Sequence, residues 1–399
     1  MSATLAQRSR PLRVAALCLA SCWSLAAPAW AADPTGVQQY WLELMNRMRI
    51  SPAAELERLT NYSVPGTTFA SPASDDPFVN AALQFYQTSA STLATQWAGL
   101  IPAPALAWNG SLSDSAATYS NVMVALDTQA HNLDGLTLED RILNGGYTVN
   151  YLELGESLFA TAQNAFHGHA AFAIDWGDSD SNPGNGFGTG IQTPASHRDD
   201  LMLPSFKEVG IGFQTSSLVG NVNVTGPLVT TQHFASQFRV VGLTYVADAF
   251  LTGSIYTDAV LADNFYTPGE GVAGATVNVY NDATNTLVKT GASNSAGGFN
   301  ILLDGLATGT LYRIEAPGTG QPAQTFSLST RTVFYQAANP GDPDVPVTYY
   351  DNVYASFQAV PEPGGAVLIL AAALAGYVRR GKARGRSAPS HAFSLSCAP

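Results

Sequence analysis

Three cysteines occur in 399 residues, and all lie near the ends: Cys18 and Cys22 before residue 32, Cys397 after residue 360. The long span between, residues 32–360, has no thiol to form a disulfide or bind a metal, so packing and hydrogen bonds must hold its fold. That span carries ten Lys+Arg against twenty-nine Asp+Glu, a net of −19. The whole chain nets only −12 because eight of its eighteen basic residues crowd into the two ends. An acidic body of this kind has no electrostatic footprint for nucleic acid. With 46% hydrophobic residues it can bury a core, which excludes a disordered chain, and its length suits two or three domains.

The ends read as address labels. Arg8, Arg10 and Arg13 precede an uncharged apolar run, Val14–Ala29, which closes on Ala29-Trp30-Ala31. A basic flank, an apolar core and a small-x-small site predict a signal peptide over residues 1–31, cleaved after Ala31. Leu19-Ala20-Ser21-Cys22 offers an alternative, lipidation of Cys22, but the apolar run continues well past it. At the other end Val360-Pro361-Glu362-Pro363 is followed by the uncharged run Gly364–Val378 and then Arg379-Arg380. Fifteen residues fall short of the roughly 20 that span a bilayer, a gap that flanking residues and a thinned membrane make up. The basic cluster would stay cytoplasmic. This order resembles the PEP-CTERM sorting tail of Gram-negative bacteria. The resemblance implies a sorting signal with a transmembrane segment over residues 360–380 and a cytoplasmic tail over 381–399. It also implies an exosortase-type enzyme cutting at Pro361-Glu362-Pro363, passage through the inner membrane, and delivery to the cell surface or medium. The stretch Gly381–Pro399 is longer than such tails usually run.

Helical periodicity opens the body. In Gln38–Arg49, Trp41, Leu44, Met45 and Met48 share one apolar face, and Ser51-Pro52 ends the pattern. Ala53–Leu59 reads as a second helix, residues 61–77 as loop, and Pro77–Trp97 as helix again. Leu106-Ala107-Trp108-Asn109 leads into a helix carrying Ala116, Tyr119 and Met123. Then come His131-Asn132, Arg141, Gly155-Glu156-Ser157, His167 and His169, Asp175-Trp176, Ser196-His197-Arg198, Glu208-Val209-Gly210-Ile211-Gly212 and the strand-like Thr231-Gln232-His233-Phe234.

That ordered set resembles the CAP superfamily of cysteine-rich secretory, antigen and pathogenesis-related proteins, in its cysteine-poor bacterial branch. The resemblance implies an α-β-α sandwich over residues 33–236, with a cleft lined by two histidines and two carboxylates able to hold a divalent metal such as zinc. By motif His131, Glu156 and His197 fill three positions. The fourth falls in a segment without Glu, where Asp175 or Asp178 stands in, and Ser157 replaces the usual Asn. Two imidazoles and carboxylates suit zinc, and a metal-free His/Glu pair suits proton transfer. The same residues could also hydrogen-bond to one another and simply order the loops. His167 and His169, two apart on a helix, cannot share one face. His233 reads as packed in a strand. Asp178-x-Asp180-x-Asn182 repeats the first three positions of a calcium loop, without the later Gly and Glu.

After Phe250 the pattern turns to period two, at Thr252–Thr257, Val277/Val279 and Phe299/Ile301/Leu303, with turn signals between. This predicts an antiparallel β-sandwich over residues 250–358. The run through Asp263 and Pro268–Val277 resembles bacterial surface B-type domains of immunoglobulin-like fold, which implies a spacer or adhesion module. Asp258, Asp263 and Glu270 are its calcium candidates, with a solvated acidic turn the better reading. Residues 337–346 read as a loop.

The fold class expected is therefore α+β, a CAP-type α-β-α sandwich followed by an immunoglobulin-like β-sandwich. No mature cysteine, G-x-S-x-G elbow or H-E-x-x-H helix supplies a nucleophile or a metalloprotease centre. The leading expectation is an exported protein that binds a lipid or polysaccharide ligand through its His/Glu cleft. A metal-dependent hydrolase using His131, Glu156 and His197 is the alternative, and a structural adhesion protein of the matrix a further one.

Overall fold

The structure, a computed structural model, describes residues 32–60, 74–178, 188–216, 225–242, 244–335 and 345–360. The signal peptide, the sorting tail and most of the Asp178–Asn182 loop lie outside them. No described helix is long and apolar enough to cross a membrane.

Helix α1 (Gly36–Ile50) starts on a capping box in which Thr35 and Gln38 satisfy each other's backbone. The predicted face, Trp41, Leu44, Met45 and Met48, is fully buried. Ser51 caps its end, and Pro52 begins α2 (Pro52–Thr60). The single helix expected over Pro77–Trp97 is two: α3 (Pro77–Phe85) and α4 (Ala90–Ala98). The break has a local cause. Gln87 takes a left-handed φ of 53°, and Ser89 caps the second helix. Strand β1 (Ala107–Trp108) leads through Asn109, an N-cap, into α5 (Gly110–Leu126), followed by α6 (Leu138–Asn144). Then come β2 (Tyr151–Ala162), α7 (Ala165–Ala170), a π-turn (Ala171–Asp175), α8 (Ser196–Met202), β3 (Glu208–Thr215) and β4 (Leu228–Gln237).

The four strands form one sheet in the order β1-β3-β4-β2, with β1 parallel to β3 and the other pairs antiparallel. Helix α5 packs on one face. Val209, Ile211 and Phe234 face the other way, into a core with Trp41, Met45, Leu93, Phe172 and Leu201. The result is three layers, α-β-α. Contact with α5 is close because β3 presents glycines to it. A Cβ on Gly210 would stand 2.0 Å from the Ser113 nitrogen, and one on Gly212 would stand 2.1 Å from that of Ala117. Buried Arg49 ties the opposite layer together, donating to the carbonyls of Pro104, Leu201, Leu203 and Phe206.

Strands β5 (Arg239–Val241), β6 (Thr244–Ala247), β7 (Phe250–Tyr256), β8 (Thr276–Asn281), β9 (Thr286–Ala292), β10 (Gly298–Leu302), β11 (Leu311–Glu315), β12 (Gln324–Ser327), β13 (Thr330–Tyr335), β14 (Val345–Tyr350), β15 (Val353–Tyr354) and β16 (Phe357–Gln358) follow. Sheets β10-β7-β15 (with β16 also on β7) and β12-β11-β8-β9 share a core of Leu251, Ile255, Val279, Phe299, Ile314 and Phe357. A third sheet runs β13-β14-β6-β5. The antiparallel pairing expected from sequence does not hold throughout. Strands β14 on β6 and β15 and β16 on β7 are parallel. The returning chain runs alongside strands laid down about a hundred residues earlier, a non-local pairing that period-two patterns cannot encode.

The β-rich part is joined to the first layers by buried polar contacts. Asn352 donates to the carbonyls of Ala105 and Lys207 and accepts from the Phe250 amide. Tyr354 bonds to Glu43, which is 1% exposed and whose carboxyl burial pushes up. Two distant segments meet the same loop: Gly36 abuts Tyr266 and Pro268, while Gln358 pairs with Tyr256 and bonds to Asp258.

Since the backbone of α5 occupies the space of a Cβ on Gly210, Gly210→Ala should lower stability by roughly 1–3 kcal/mol, the range for overpacking. Gly99→Ala, whose nearest neighbour would be 3.5 Å away, should leave thermal unfolding unchanged.

Candidate functional site

The two carboxylates singled out by motif both hold histidines, Glu156 two of them and Asp175 one. Glu156 lies on β2 directly opposite His233 of β4. Its Oε1 bonds to His131 Nδ1 at 2.8 Å. Its Oε2 accepts from Arg141 Nη1 at 2.7 Å and from His233 Nε2 at 2.9 Å. Arg141 also reaches the His131 carbonyl, and its guanidinium stacks on the Tyr119 ring at 3.8 Å. Three elements set this geometry. Helix α6 starts on a capping box of Thr137 and Asp140 and aims Arg141 inward. Tyr119 of α5 holds the loop on both sides of His131, donating to the Ala130 carbonyl and accepting from the Leu133 amide. Gln129 satisfies the free edge of β2 at Leu158 and Ala160. Burial pushes the Glu156 carboxyl up, but the bonds from His131 and His233 and the charges of His233 and Arg141 outweigh it and bring it down to about 2.

Asp175 holds His197. It ends the π-turn with a left-handed φ of 58° and is fully buried. Its Oδ1 bonds to His197 Nδ1 at 2.8 Å, and its Oδ2 accepts from the amides of His197 and Arg198. Helix α8 has no side-chain cap at Ala195, so the Asp175 carboxylate, distant in sequence, does the capping. Asp178, the other stand-in, lines the neighbouring cavity.

The two pairs lie on opposite faces of β2. Glu156 and Leu158 face the α5 layer, where Leu158 packs on Tyr119 and Met123. Ser157 and Phe159 face the other layer, where Ser157 bonds to Asp200 of α8 and Phe159 packs on Phe172. Asp200, half-buried and pushed up to about 6 by burial, had no signal in the sequence. His233 and Arg141 were also missed as site members. His233 sat in a strand pattern that hides its partner until the register of β2 and β4 is known.

Among the described residues no group of three or more His, Cys, Asp and Glu is placed to hold a metal ion. Every carboxylate oxygen of Glu156 and Asp175 already accepts an N–H. In this arrangement they orient imidazoles, and the Nε2 atoms of His131 and His197 are the free donors of the set. The residues as arranged do not form one donor set for zinc. In the β-rich part the calcium candidates accept backbone amides. Glu270 accepts from the amides of Val260, Leu261 and Thr267, Asp258 from those of Asp263 and Asn264, and Asp263 from that of Phe265.

His197 forms part of the wall of a cavity of about 470 Å³, with Tyr86, Phe159, Phe172, Trp176 and the amides Gln129 and Gln192. Tyr86, Phe159, Thr161 and Trp176 also line an adjoining depression of about 310 Å³ that continues to Phe78, Phe85 and His167. His167 and His169 are both buried, on different partners. The first packs on Trp176 at 5.3 Å and accepts the Gln163 amide, while the second bonds to Glu55.

Residues 100–234 match the CAP family, the cysteine-rich secretory protein family, so the chain carries a CAP domain there. Among solved structures it is similar to an extracellular protein containing a SCP domain from Bacillus anthracis str. Ames, at 21% identity over 33% of this chain and 34% of that one, with a TM-score of 0.24. It is also similar to an outer surface protein from Borrelia burgdorferi, at 17% identity over 37% and 88%, TM-score 0.24. A third is the major plantain pollen allergen, at 17% identity over 30% and 99%, TM-score 0.16. This chain thus spans about a third of the length of the first of these. No curated protein matches.

Burial pulls the His167 imidazole down to about 4, against the pull of Asp76. Its unfolded value is about 6.5, so the unfolded chain takes up this proton first. Stability present above pH ~6.5 should be lost progressively between pH ~6.5 and ~4, by roughly 3 kcal/mol for this group. Denaturant unfolding of His167→Phe across that window should show a slope shallower by one proton.

Proposed function

We propose that the chain is an exported CAP-domain protein that binds an amphipathic ligand in the His197 cavity. The observation that carries this reading is the lining. Four aromatic rings stand beside Gln129, Gln192 and an imidazole whose Nδ1 is tied down by Asp175, and the aromatic wall runs on into the adjoining depression. Ligand sites combine apolar walls with a few placed polar groups, and the combined volume falls in their range. A lipid fits this lining best, its chain along Phe159, Trp176 and Phe78 and its polar end toward His197 and Gln192. A polysaccharide is the other class to test.

A second reading rests on the Asp175–His197 pair. A buried carboxylate that fixes the imidazole by Nδ1 leaves Nε2 as a general base for water, as in hydrolases. Ser157 bonds to Asp200 rather than to His197, so no hydroxyl nucleophile is paired with that base among the described residues. A divalent ion such as zinc belongs to this reading. It would sit on the His197 imidazole and require Asp175 to give up a present donor.

Export completes the proposal. Cleavage after Ala31 and processing at Pro361-Glu362-Pro363 by an exosortase-type enzyme would release a surface or extracellular protein ending near residue 360. Intact-mass measurement of protein recovered from the medium should give a chain beginning at residue 32. A chain still beginning at residue 1 would remove the signal-peptide assignment.

The binding reading is tested by titrating the purified protein with a soluble lysolipid and with an oligosaccharide, following tryptophan fluorescence. Saturable lipid binding that weakens about tenfold in Phe159→Ala and His197→Ala is expected. Turnover of a peptide or ester that vanishes in His197→Ala and Glu156→Ala would replace binding by hydrolysis. Restoration of that turnover by zinc after chelation would add the metal.

A further inference from the structure

Helix α1 is covered on two sides. Trp41, Met45 and Met48 enter the core of the first domain. Gly36, Gln39, Tyr40, Glu43 and Arg47, spaced i, i+3, i+4, i+7 and i+11, meet the β-rich part instead. Gly36 abuts Pro268, and Gln39 fills the space beside Gly298 of β10. Tyr40 packs edge-on against Phe265 at 6.0 Å, and the Arg47 guanidinium lies 4.3 Å over the same ring. Strand β7 is two-sided in the same way. Leu251 and Ile255 enter the β core, while Thr252, Ser254 and Tyr256 alternate with them and are buried on the other face. Tyr354 of β15 is paired with Thr252 and reaches Glu43 from that face.

Glu43 is the only acid of α1 and is 1% exposed. Its Oε1 accepts from Gln39 Nε2 at 2.7 Å, and its Oε2 bonds to the Tyr354 hydroxyl. Among the described residues no Lys, Arg or His stands within ion-pair distance of it. Strands β7, β10 and β15, which close over this face, contain no charged residue. Arg47, one turn along the helix, is bound to both oxygens of Glu55. The other titratable groups around Glu43 are tyrosines. Burial pushes Tyr354 well above its usual range and Tyr256 and Tyr266 up to about 12. An ionised carboxylate enclosed by neutral donors, with no cation, is costly, whereas the protonated acid is not. Burial accordingly pushes the Glu43 carboxyl up, against the bonds from Tyr354 and Gln39.

We propose that the proton on Glu43 is a latch: while bound it lets α1 seat against β7 and β15, and its loss opens this seam between the first domain and the β-rich part. In the open seam water solvates the carboxylate and its ordinary value of 4.5 returns, so the open form releases the proton first. Opening therefore grows with pH above that value, by up to about tenfold per pH unit, until the closed form titrates too. The two parts are held rigidly in acid and gain freedom as the surroundings turn alkaline.

Alkylation of a buried thiol tests this in the full-length chain. Thr252→Cys places a thiol on the β7 face that lies toward α1, and peptide mass separates its label from those on Cys18, Cys22 and Cys397. The rate is compared with and without Glu43→Gln, which keeps the shape and the hydrogen-bonding capacity but carries no charge. The ratio of the two rates cancels the thiol's own titration. It should rise about tenfold or more between about pH 5 and about pH 8. An infrared carbonyl band of a protonated carboxyl, absent from Glu43→Gln, should be present at about pH 6, above the ordinary carboxyl range. A flat ratio over this window would overturn the proposal, as would absence of that band. Tyr354→Phe removes a bond that favours the ionised form, so it should carry the band to higher pH even if Glu43→Gln does not fold; a band that titrates unchanged in Tyr354→Phe would also overturn the proposal.

Discussion

The first domain depends on how closely α5 lies against β3. Gly210 and Gly212 carry no side chain on the face that meets the helix, so the Leu112–Ser113 and Ala116–Ala117 backbone sits where Cβ atoms would otherwise be. That approach fixes the depth of Tyr119. Tyr119 then does two things at once: it holds the loop on both sides of His131, and it provides the ring on which Arg141 lies. Arg141 in turn holds Glu156. A movement of α5 away from the sheet by one methyl group would pass through this chain of contacts to both histidines on Glu156.

The two His–carboxylate pairs solve the same problem differently. Glu156 is kept ionised in a buried setting by three donors and by the charges of Arg141 and His233, which outweigh its desolvation. Asp175 relies on a helix N-terminus, taking amides that Ala195 has no side chain to cap. In both, the carboxylate is spent on orienting an imidazole by Nδ1, and Nε2 is the atom turned outward. A site built this way presents bases of set direction, backed by charge that water does not reach.

Much of the architecture was legible from local pattern. The apolar face of α1, its stop at Ser51-Pro52, the helical spacing of α5 and strands β7, β8 and β10 all follow from periodicity and proline chemistry. The break between α3 and α4 escaped because its cause, a left-handed Gln87, is conformational and leaves no mark on the apolar spacing. Motif order found His131, Glu156 and His197, but not which carboxylate each histidine pairs with. Adjacent residues of a strand point to opposite faces, and Glu156 and Ser157 divide the set between two layers in this way. His233 and Arg141 needed information that no local window holds: the register of β2 on β4, and the seat of α6 over Tyr119. The parallel return of β14, β15 and β16 is non-local in the same sense.

The Tyr256–Pro268 loop receives segments from near both limits of the described chain. Residue 36 packs against it, and residue 358 is hydrogen-bonded to it. The loop therefore joins parts of the chain that lie far apart in sequence, a long-range closure that costs chain entropy before its contacts stabilise anything.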